Sequence, residues 1–164
     1  MPMSLDVALS FIFLKHMKES IKDDIIYVVS TGYLSRAVYR MHPKWKNVFY
    51  MQGSMGLAPA IGLGMALKTK KKVVVITGDA ALLMHLGITH TIRDADLDNL
   101  FVYVIKNGCH ESTGGQPCSE VKLHYPGVTE VLKVDPLIPP RIDMSFNKIT
   151  ENVKDSLNAL KQKA

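Results

Sequence analysis

The sequence contains only two cysteines, Cys109 and Cys118, among its 164 residues. Two thiols cannot by themselves build a disulfide framework or a four-ligand zinc site. Disulfide scaffolds, mononuclear zinc sites and iron–sulfur clusters are therefore poor explanations of this chain. A reduced compartment, the cytoplasm, is the simpler prediction.

The sequence also lacks a segment suited to a membrane or to export. Residues 47–67 carry no charged side chain, over a length that could span a bilayer. The stretch nevertheless holds four glycines and Pro59, which favour a tight turn before a close-packed helix. The apolar residues 1–14 have neither a basic leader nor a small-residue cleavage pattern. We expect no membrane span and no signal peptide.

Positive charge exceeds negative charge only slightly, with 20 Lys and Arg against 15 Asp and Glu. Apolar residues make up 47% of the chain and charged residues 21%, as in folded globular proteins. The basic run at 68–72 has no interleaved aromatic residues and precedes an apolar strand. It predicts a solvated turn and no binding of nucleic acid.

Short β-branched runs alternate with segments of helical periodicity along the chain. The predicted strands are 25–29, 48–51, 73–77, 100–105 and 128–134. The predicted helices are 5–17, 35–41, 57–67, 80–93 and a C-terminal helix marked by Ile149, Val153, Leu157 and Leu160. This pattern predicts an α/β fold, with a doubly wound, mostly parallel sheet and helices on both faces, as a single domain over residues 1–164.

Small and polar residues follow four of the predicted strands, at 30–32, 52–56, 78–80 and 107–108. Ligands of such sheets bind at the carboxyl ends of the strands, so these segments predict one composite site. Asp79 would repel a phosphate unless a cation lay between them, which favours Mg²⁺. Asn107 can supply a second oxygen and the turn at Gly108 a backbone carbonyl. Taken singly, an Asp helix cap and an ordinary Asn-Gly turn are the better explanations of these residues.

Gly78-Asp79-Ala80 and Lys106-Asn107 resemble the thiamine diphosphate-binding motif, which is Gly-Asp-Gly followed further along by Asn-Asn. Ala80 departs from the third glycine of that motif, and Lys106 departs from its first asparagine. Over residues 25–157 the chain resembles phosphonopyruvate and sulfopyruvate decarboxylases. The runs that carry this likeness are 28–36, 53–58, 107–116 with its Ser-Thr-Gly-Gly-Gln, and Pro139-Pro140-Arg141-Ile142.

The resemblance implies a Mg²⁺ ion and a thiamine diphosphate cofactor held by matching residues. The metal ligands would be the Asp79 carboxylate, the Asn107 side chain and the Cys109 carbonyl. The residues expected to donate to or border the diphosphate are Gly78, Ala80, Ala81, Thr31 and Gly32.

The segment after the second predicted strand is expected to meet the other end of the cofactor. By the same resemblance, the Gly53 carbonyl, beside Ser54, would accept a hydrogen bond from the pyrimidine 4′-amino group. Met55 would hold the cofactor in its bent form, although a Met at a strand end is more often plain core.

The glutamate that activates the pyrimidine in such enzymes has no counterpart here. The resemblance places it on a pyrimidine-binding domain, and the chain matches only the diphosphate-binding half. We therefore expect a separate pyrimidine-type partner subunit in a hetero-oligomer. The N-terminal helix, which is apolar on two sides, and the small-residue helix 57–67 are the expected interfaces.

The implied reaction is decarboxylation of a small anionic 2-oxo acid such as phosphonopyruvate or sulfopyruvate. Arg36, His110, Ser112 and Thr113 could meet the substrate's anionic group. His110 either takes part in proton transfer or lines the loop, and Cys118 is expected to be inert. Three alternatives stay open: an acyloin-forming carboligase, a 2-oxo acid oxidoreductase subunit and a non-catalytic cofactor-binding subunit.

Overall fold

The computed structural model describes residues 2–17, 24–122, 124–135 and 145–158. The helices in these ranges are α1 (Leu5–Met17), α2 (Tyr33–Met41), α3 (Ala58–Ala66), α4 (Asp79–Met84), α5 (Ile88–Ala95) and α6 (Phe146–Asn158). The strands are β1 (Ile25–Val29), β2 (Val48–Tyr50), β3 (Lys72–Gly78), β4 (Leu100–Lys106), β5 (Cys109–His110), β6 (Gln116–Pro117) and β7 (Glu130–Lys133). The Pro139–Ile142 run and Leu160 lie outside the described residues.

Five strands form one parallel sheet in the order β2-β1-β3-β4-β7. From β1 the chain runs outward through α2 to β2, then returns through α3 to β3 on the other side of β1. The direction of winding therefore changes between β1 and β3, and such a switch point opens a crevice at the carboxyl ends of the strands. The prediction of a doubly wound, parallel α/β sheet is confirmed.

Both faces of the sheet are covered by helices that pack apolar side chains against it. Alternate residues of β1 face opposite ways, so that Tyr27 packs in the cluster formed with α1 and α2, whereas Val28 packs in the cluster formed with α3 and α5. All five residues of β1 are buried. Burial on both faces explains why this strand reads as an unbroken apolar run in the sequence.

Helix α3 lies unusually close to the sheet because of one glycine. A Cβ atom on Gly62 would stand 2.2 Å from Cγ2 of Val75 in β3. No other residue type fits there without displacement, which explains the glycine at position 62. In the described part of the chain, no helix is both long enough and apolar enough to cross a membrane.

The predicted helix 80–93 is wrong as a single element. Helix α4 ends at Met84, and His85 takes a non-helical conformation with φ −137° and ψ 46°. Helix α5 starts at Ile88, after a turn in which the Thr89 hydroxyl donates to the Leu86 carbonyl at 2.8 Å. Apolar periodicity continues across this turn, so the sequence pattern did not reveal it.

The basic run 68–72 is only partly solvated. Lys71 is buried, and its Nζ donates to the Ser156 carbonyl of α6 at 2.9 Å. The expectation of a wholly solvated turn is therefore corrected at this residue, because its ammonium group anchors the C-terminal helix. This end of β3 lies opposite the carboxyl edge of the sheet.

Candidate cofactor site

A cavity opens where the carboxyl ends of β1, β3 and β4 meet. Its walls come from four segments that are far apart in the sequence. The lining residues are Ser30, Thr31, Tyr33, Leu34, Met55, Gly78, Asp79, Ala80, Ala81, Ile105, Asn107, Cys109, His110, Glu111 and Ser112. The fold thus brings together most of the residues that we predicted from the sequence to form one composite site.

Asp79 occupies the centre of this arrangement. The residue is 2% exposed, and both of its carboxylate oxygens accept backbone hydrogen bonds. Oδ1 accepts from the Ala80 N–H at 2.8 Å, and Oδ2 accepts from the Gly108 N–H at 2.7 Å. A carboxylate with two backbone donors is fixed in position, and each oxygen keeps a lone pair for a cation.

The Asn107 amide is held by two contacts of opposite polarity. Its Nδ2 donates to Oε2 of Glu111 at 2.9 Å, and its Oδ1 accepts from the Cys109 N–H at 3.2 Å. Together these contacts fix which side of the amide carries the oxygen. The second lone pair of Oδ1 is then available as a neutral ligand.

The Cys109 carbonyl lies in a short hairpin that follows β4. In the antiparallel pair β5–β6, Cys109 stands opposite Pro117. The Cys118 N–H donates to the Gly108 carbonyl at 3.0 Å, so Cys109 and Pro117 form a pair that exchanges no backbone hydrogen bonds. The Cys109 carbonyl is therefore not used by strand β6, as the expected metal ligand requires.

Negative charge dominates the cavity. Asp79 and Glu111 contribute carboxylates, and none of the described residues lining it is Lys or Arg.

The pKa values of the two thiols, Cys109 and Cys118, are raised. Burial raises the pKa of Cys109, with further contributions from the negative charges of Glu111 and Asp79, and burial followed by the negative charge of Asp79 raises the pKa of Cys118.

The donor set fits the expected metal. A carboxylate, an amide oxygen and a backbone carbonyl are hard oxygen ligands of the kind that Mg²⁺ binds together with phosphates. A diphosphate could not sit beside two carboxylates without a cation to neutralise them. Asp79, Asn107 and the Cys109 carbonyl would therefore hold Mg²⁺, with the small residues Gly78, Ala80 and Ala81 giving a diphosphate close access to the backbone.

A second cleft adjoins the first and shares Thr31 and Ser112 with it. The other residues that line it are Gly32, Ser35, Arg36, Met51, Gln52 and Gly53. Gly32 has φ +88°, and a Cβ there would lie 2.9 Å from the Ser112 hydroxyl. The end of β1 can therefore approach the hairpin only with glycine at this position.

Two nominated residues line neither of these clefts. Ser54 is exposed in a turn with φ 45°, and Thr113 uses its hydroxyl to donate to the His110 carbonyl at 3.2 Å. Conversely, Tyr33 and Glu111 line the cavity although the sequence did not single them out. The sequence signal that could have indicated Glu111 is an acidic residue four positions after Asn107. The path of this loop cannot be read from the sequence.

Comparison with known proteins shows the family of the chain. Residues 30–155 match the family described as thiamine pyrophosphate enzyme, C-terminal TPP binding domain. The chain is 41% identical over 103 residues to sulfopyruvate decarboxylase subunit beta of Methanocaldococcus jannaschii, covering 63% of this chain and 54% of that protein. It is 38% identical over 115 residues to phosphonopyruvate decarboxylase of Streptomyces viridochromogenes, covering 70% of this chain and 29% of that protein.

A solved structure shows the same fold. A candidate thiamin diphosphate-dependent enzyme from Mycobacterium smegmatis superposes with a TM-score of 0.58 at 15% identity, over 85% of this chain and 32% of the other. The sheet thus defines an α/β domain with the fold of that structure. The chain belongs to the thiamine pyrophosphate enzyme family, as a C-terminal TPP binding domain. It spans about half of the length of the beta-subunit relative described above.

Proposed function

We propose that this chain is the diphosphate-binding subunit of a thiamine diphosphate- and Mg²⁺-dependent 2-oxo acid decarboxylase. The substrate class is a small anionic 2-oxo acid such as phosphonopyruvate or sulfopyruvate. The observation that carries the proposal is the buried Asp79 carboxylate, fixed at the junction of β3 and β4 beside Asn107. The similarity to sulfopyruvate and phosphonopyruvate decarboxylases supports the choice of reaction.

The chain's own residues would anchor one end of the cofactor. Asp79, Asn107 and the Cys109 carbonyl would hold the metal, and the backbone at 78–81 would donate to the diphosphate. Met55 lines the same cavity and is placed to support the ring system. The bound cofactor supplies the sink for the electrons released when CO₂ leaves.

The second cleft is the proposed place of the substrate's distal anion. Arg36 lines it, and its guanidinium lies 5.0 Å from the centre of the Tyr33 ring. Within the described ranges, Arg36 makes no ion pair with a carboxylate, so its charge is available to a phosphonate or sulfonate. Ser112 faces both clefts, and His110 lines the first, where its ring could hold or transfer a proton.

A partner chain of the pyrimidine-binding type completes the proposed site. Helix α1 buries one side against the sheet, whereas Val7, Phe11 and Leu14 are 56%, 44% and 57% exposed along the other. Such a continuous apolar stripe is typical of a surface that another chain covers. The hetero-oligomer would work in the cytoplasm, where both cysteines stay as the free thiols described here.

Calorimetry with thiamine diphosphate, with and without Mg²⁺, tests the proposal on the full chain alone and with its partner. We expect binding that requires the metal, and CO₂ release from phosphonopyruvate or sulfopyruvate by the complex. Product analysis separates the free aldehyde of a decarboxylase from the acyloin of a carboligase. Absence of metal-dependent binding in both preparations would refute the proposal.

A further inference from the structure

Glu111 is a second carboxylate in the cavity, and the motif resemblance gives it no role. It begins a short 3-10 turn at 111–113, immediately after β5. Its Oε2 accepts from Asn107 Nδ2 at 2.9 Å, whereas its Oε1 is buried with no hydrogen-bond partner in the described structure. A buried carboxylate oxygen without a partner is costly, which favours a role toward a ligand.

We propose that Glu111 is a positioning residue that makes the binding of thiamine diphosphate strictly dependent on a divalent cation. It acts in two ways: its hydrogen bond orients the Asn107 oxygen toward the metal, and its charge disfavours the diphosphate when no metal is present. The inference rests on the proposed function, because it concerns the same metal and cofactor.

The orientation step follows from the chemistry of the two side chains. An ionised carboxylate only accepts hydrogen bonds, so it selects the NH₂ side of the Asn107 amide. The oxygen side then faces away from Glu111 and keeps a lone pair for the metal. Residues that orient a metal ligand in this way typically contribute about 10–100-fold to metal affinity.

The charge step follows from the composition of the cavity. Asp79 and Glu111 are both acidic, and no Lys or Arg in the described part of the chain lines this space. A diphosphate entering without a metal would meet two carboxylates and no compensating cation. A divalent ion between the diphosphate and the carboxylates replaces their repulsion with attraction to the ion. Glu111 therefore opposes binding of the metal-free cofactor and favours binding of its metal complex.

Three variants of the full chain, with its partner subunit where one co-purifies, test the inference. Glu111→Gln keeps an acceptor for Asn107 but removes the charge, and Glu111→Ala removes both. Glu120→Gln is the matched control, because Glu120 lies in the same segment with its side chain 86% exposed, paired with Lys106. Calorimetry measures the affinity for thiamine diphosphate in Mg²⁺ and in EDTA, and circular dichroism checks the fold.

We expect Glu111→Gln to bind thiamine diphosphate about tenfold more tightly than the unmodified chain in EDTA. In Mg²⁺ it should bind less tightly than the unmodified chain, and Glu111→Ala should lose about 10–100-fold. A purely structural role cannot tighten binding in EDTA while weakening it in Mg²⁺.

The ratio of the affinity in Mg²⁺ to the affinity in EDTA is the decisive quantity. If this ratio is the same in the unmodified chain and in Glu111→Gln, the inference is overturned and the proposed function stays intact. Absence of metal-dependent binding by the unmodified chain would overturn both. If Glu111→Ala does not fold, the opposite changes expected for Glu111→Gln still decide the question.

Discussion

The Asp79 carboxylate accepts a hydrogen bond from the Gly108 N–H across 2.7 Å, and this contact joins the carboxyl ends of β3 and β4. The two residues follow neighbouring strands of the parallel sheet, so the contact depends on the register between those strands. The same carboxylate also accepts from the Ala80 N–H. A single side chain therefore fixes the shape of the site and carries the charge that a metal would bind.

Asp79→Ala should abolish Mg²⁺-dependent binding of thiamine diphosphate while the chain still folds. The substitution removes the charged ligand and leaves two backbone N–H groups without an acceptor, at a cost of about 1–3 kcal/mol for each. Calorimetry measures the binding, and chemical unfolding measures the stability. An affinity equal to that of the unmodified chain would refute the ligand assignment.

The centre of the sheet was predictable because β1, β3 and β4 are apolar on both faces. The predicted bounds of β1 match the observed Ile25–Val29, and the bounds of β3 differ by one residue at each end. The turn at His85 was not predictable, since apolar spacing continues through it. The burial of Lys71 depends on α6, which is more than 70 residues away in the sequence, and no local pattern reports such a contact.

The site was predictable where it depends on residues at strand ends. Asp79 and Asn107 meet because parallel strands present their carboxyl ends at the same edge. The place of Glu111 in the cavity was missed because the hairpin that follows β4 sets the direction of its side chain.

Arg36→Ala should raise KM for phosphonopyruvate or sulfopyruvate about tenfold in the assembled enzyme, with a smaller effect on kcat. The reason is the loss of a charge-assisted contact to the distal anion. Arg36→Lys should restore part of the loss. Arg93→Ala is the control, because Arg93 is an exposed arginine that pairs with Asp94. An unchanged KM would remove Arg36 from the substrate site.

Gly62→Ala should destabilise the protein by about 1–3 kcal/mol, because the new methyl group would overlap Val75. Gly64→Ala is a matched control in the same helix, where an added Cβ meets nothing within 4 Å. That change should stabilise the protein by about 0.5–1 kcal/mol, since alanine favours the helix. Urea unfolding compares the two. Equal effects would show that α3 does not pack on β3 as described.

Tyr27→Phe should make the protein more resistant to alkaline unfolding. The Tyr27 hydroxyl is buried without a hydrogen-bond partner, and burial raises the pKa of Tyr27 above its ordinary value of 10.0. The folded state therefore holds this proton more tightly than the unfolded state, so its contribution to stability is complete below pH 10 and falls as the pH rises further.

The free energy of unfolding, measured between pH 8 and pH 11, checks this prediction. The Tyr27→Phe variant should lose stability less steeply above pH 10 and should be at least as stable as the unmodified chain at pH 8. Tyr33→Phe, which removes a hydroxyl from a half-buried ring, is the control. Identical slopes in Tyr27→Phe and the unmodified chain would contradict the burial argument.

Leu14→Ser and Leu67→Ser distinguish the two expected partner interfaces. Both leucines are 57% exposed, but Leu14 lies on α1 and Leu67 follows α3, on opposite faces of the sheet. Since neither side chain is in the core, each variant should retain its stability within about 0.5 kcal/mol. We expect Leu14→Ser to weaken association with the partner subunit, because Val7 and Phe11 extend the same apolar stripe. Sedimentation of the co-expressed subunits measures the effect, and a loss confined to Leu67→Ser would move the interface to the α3 face.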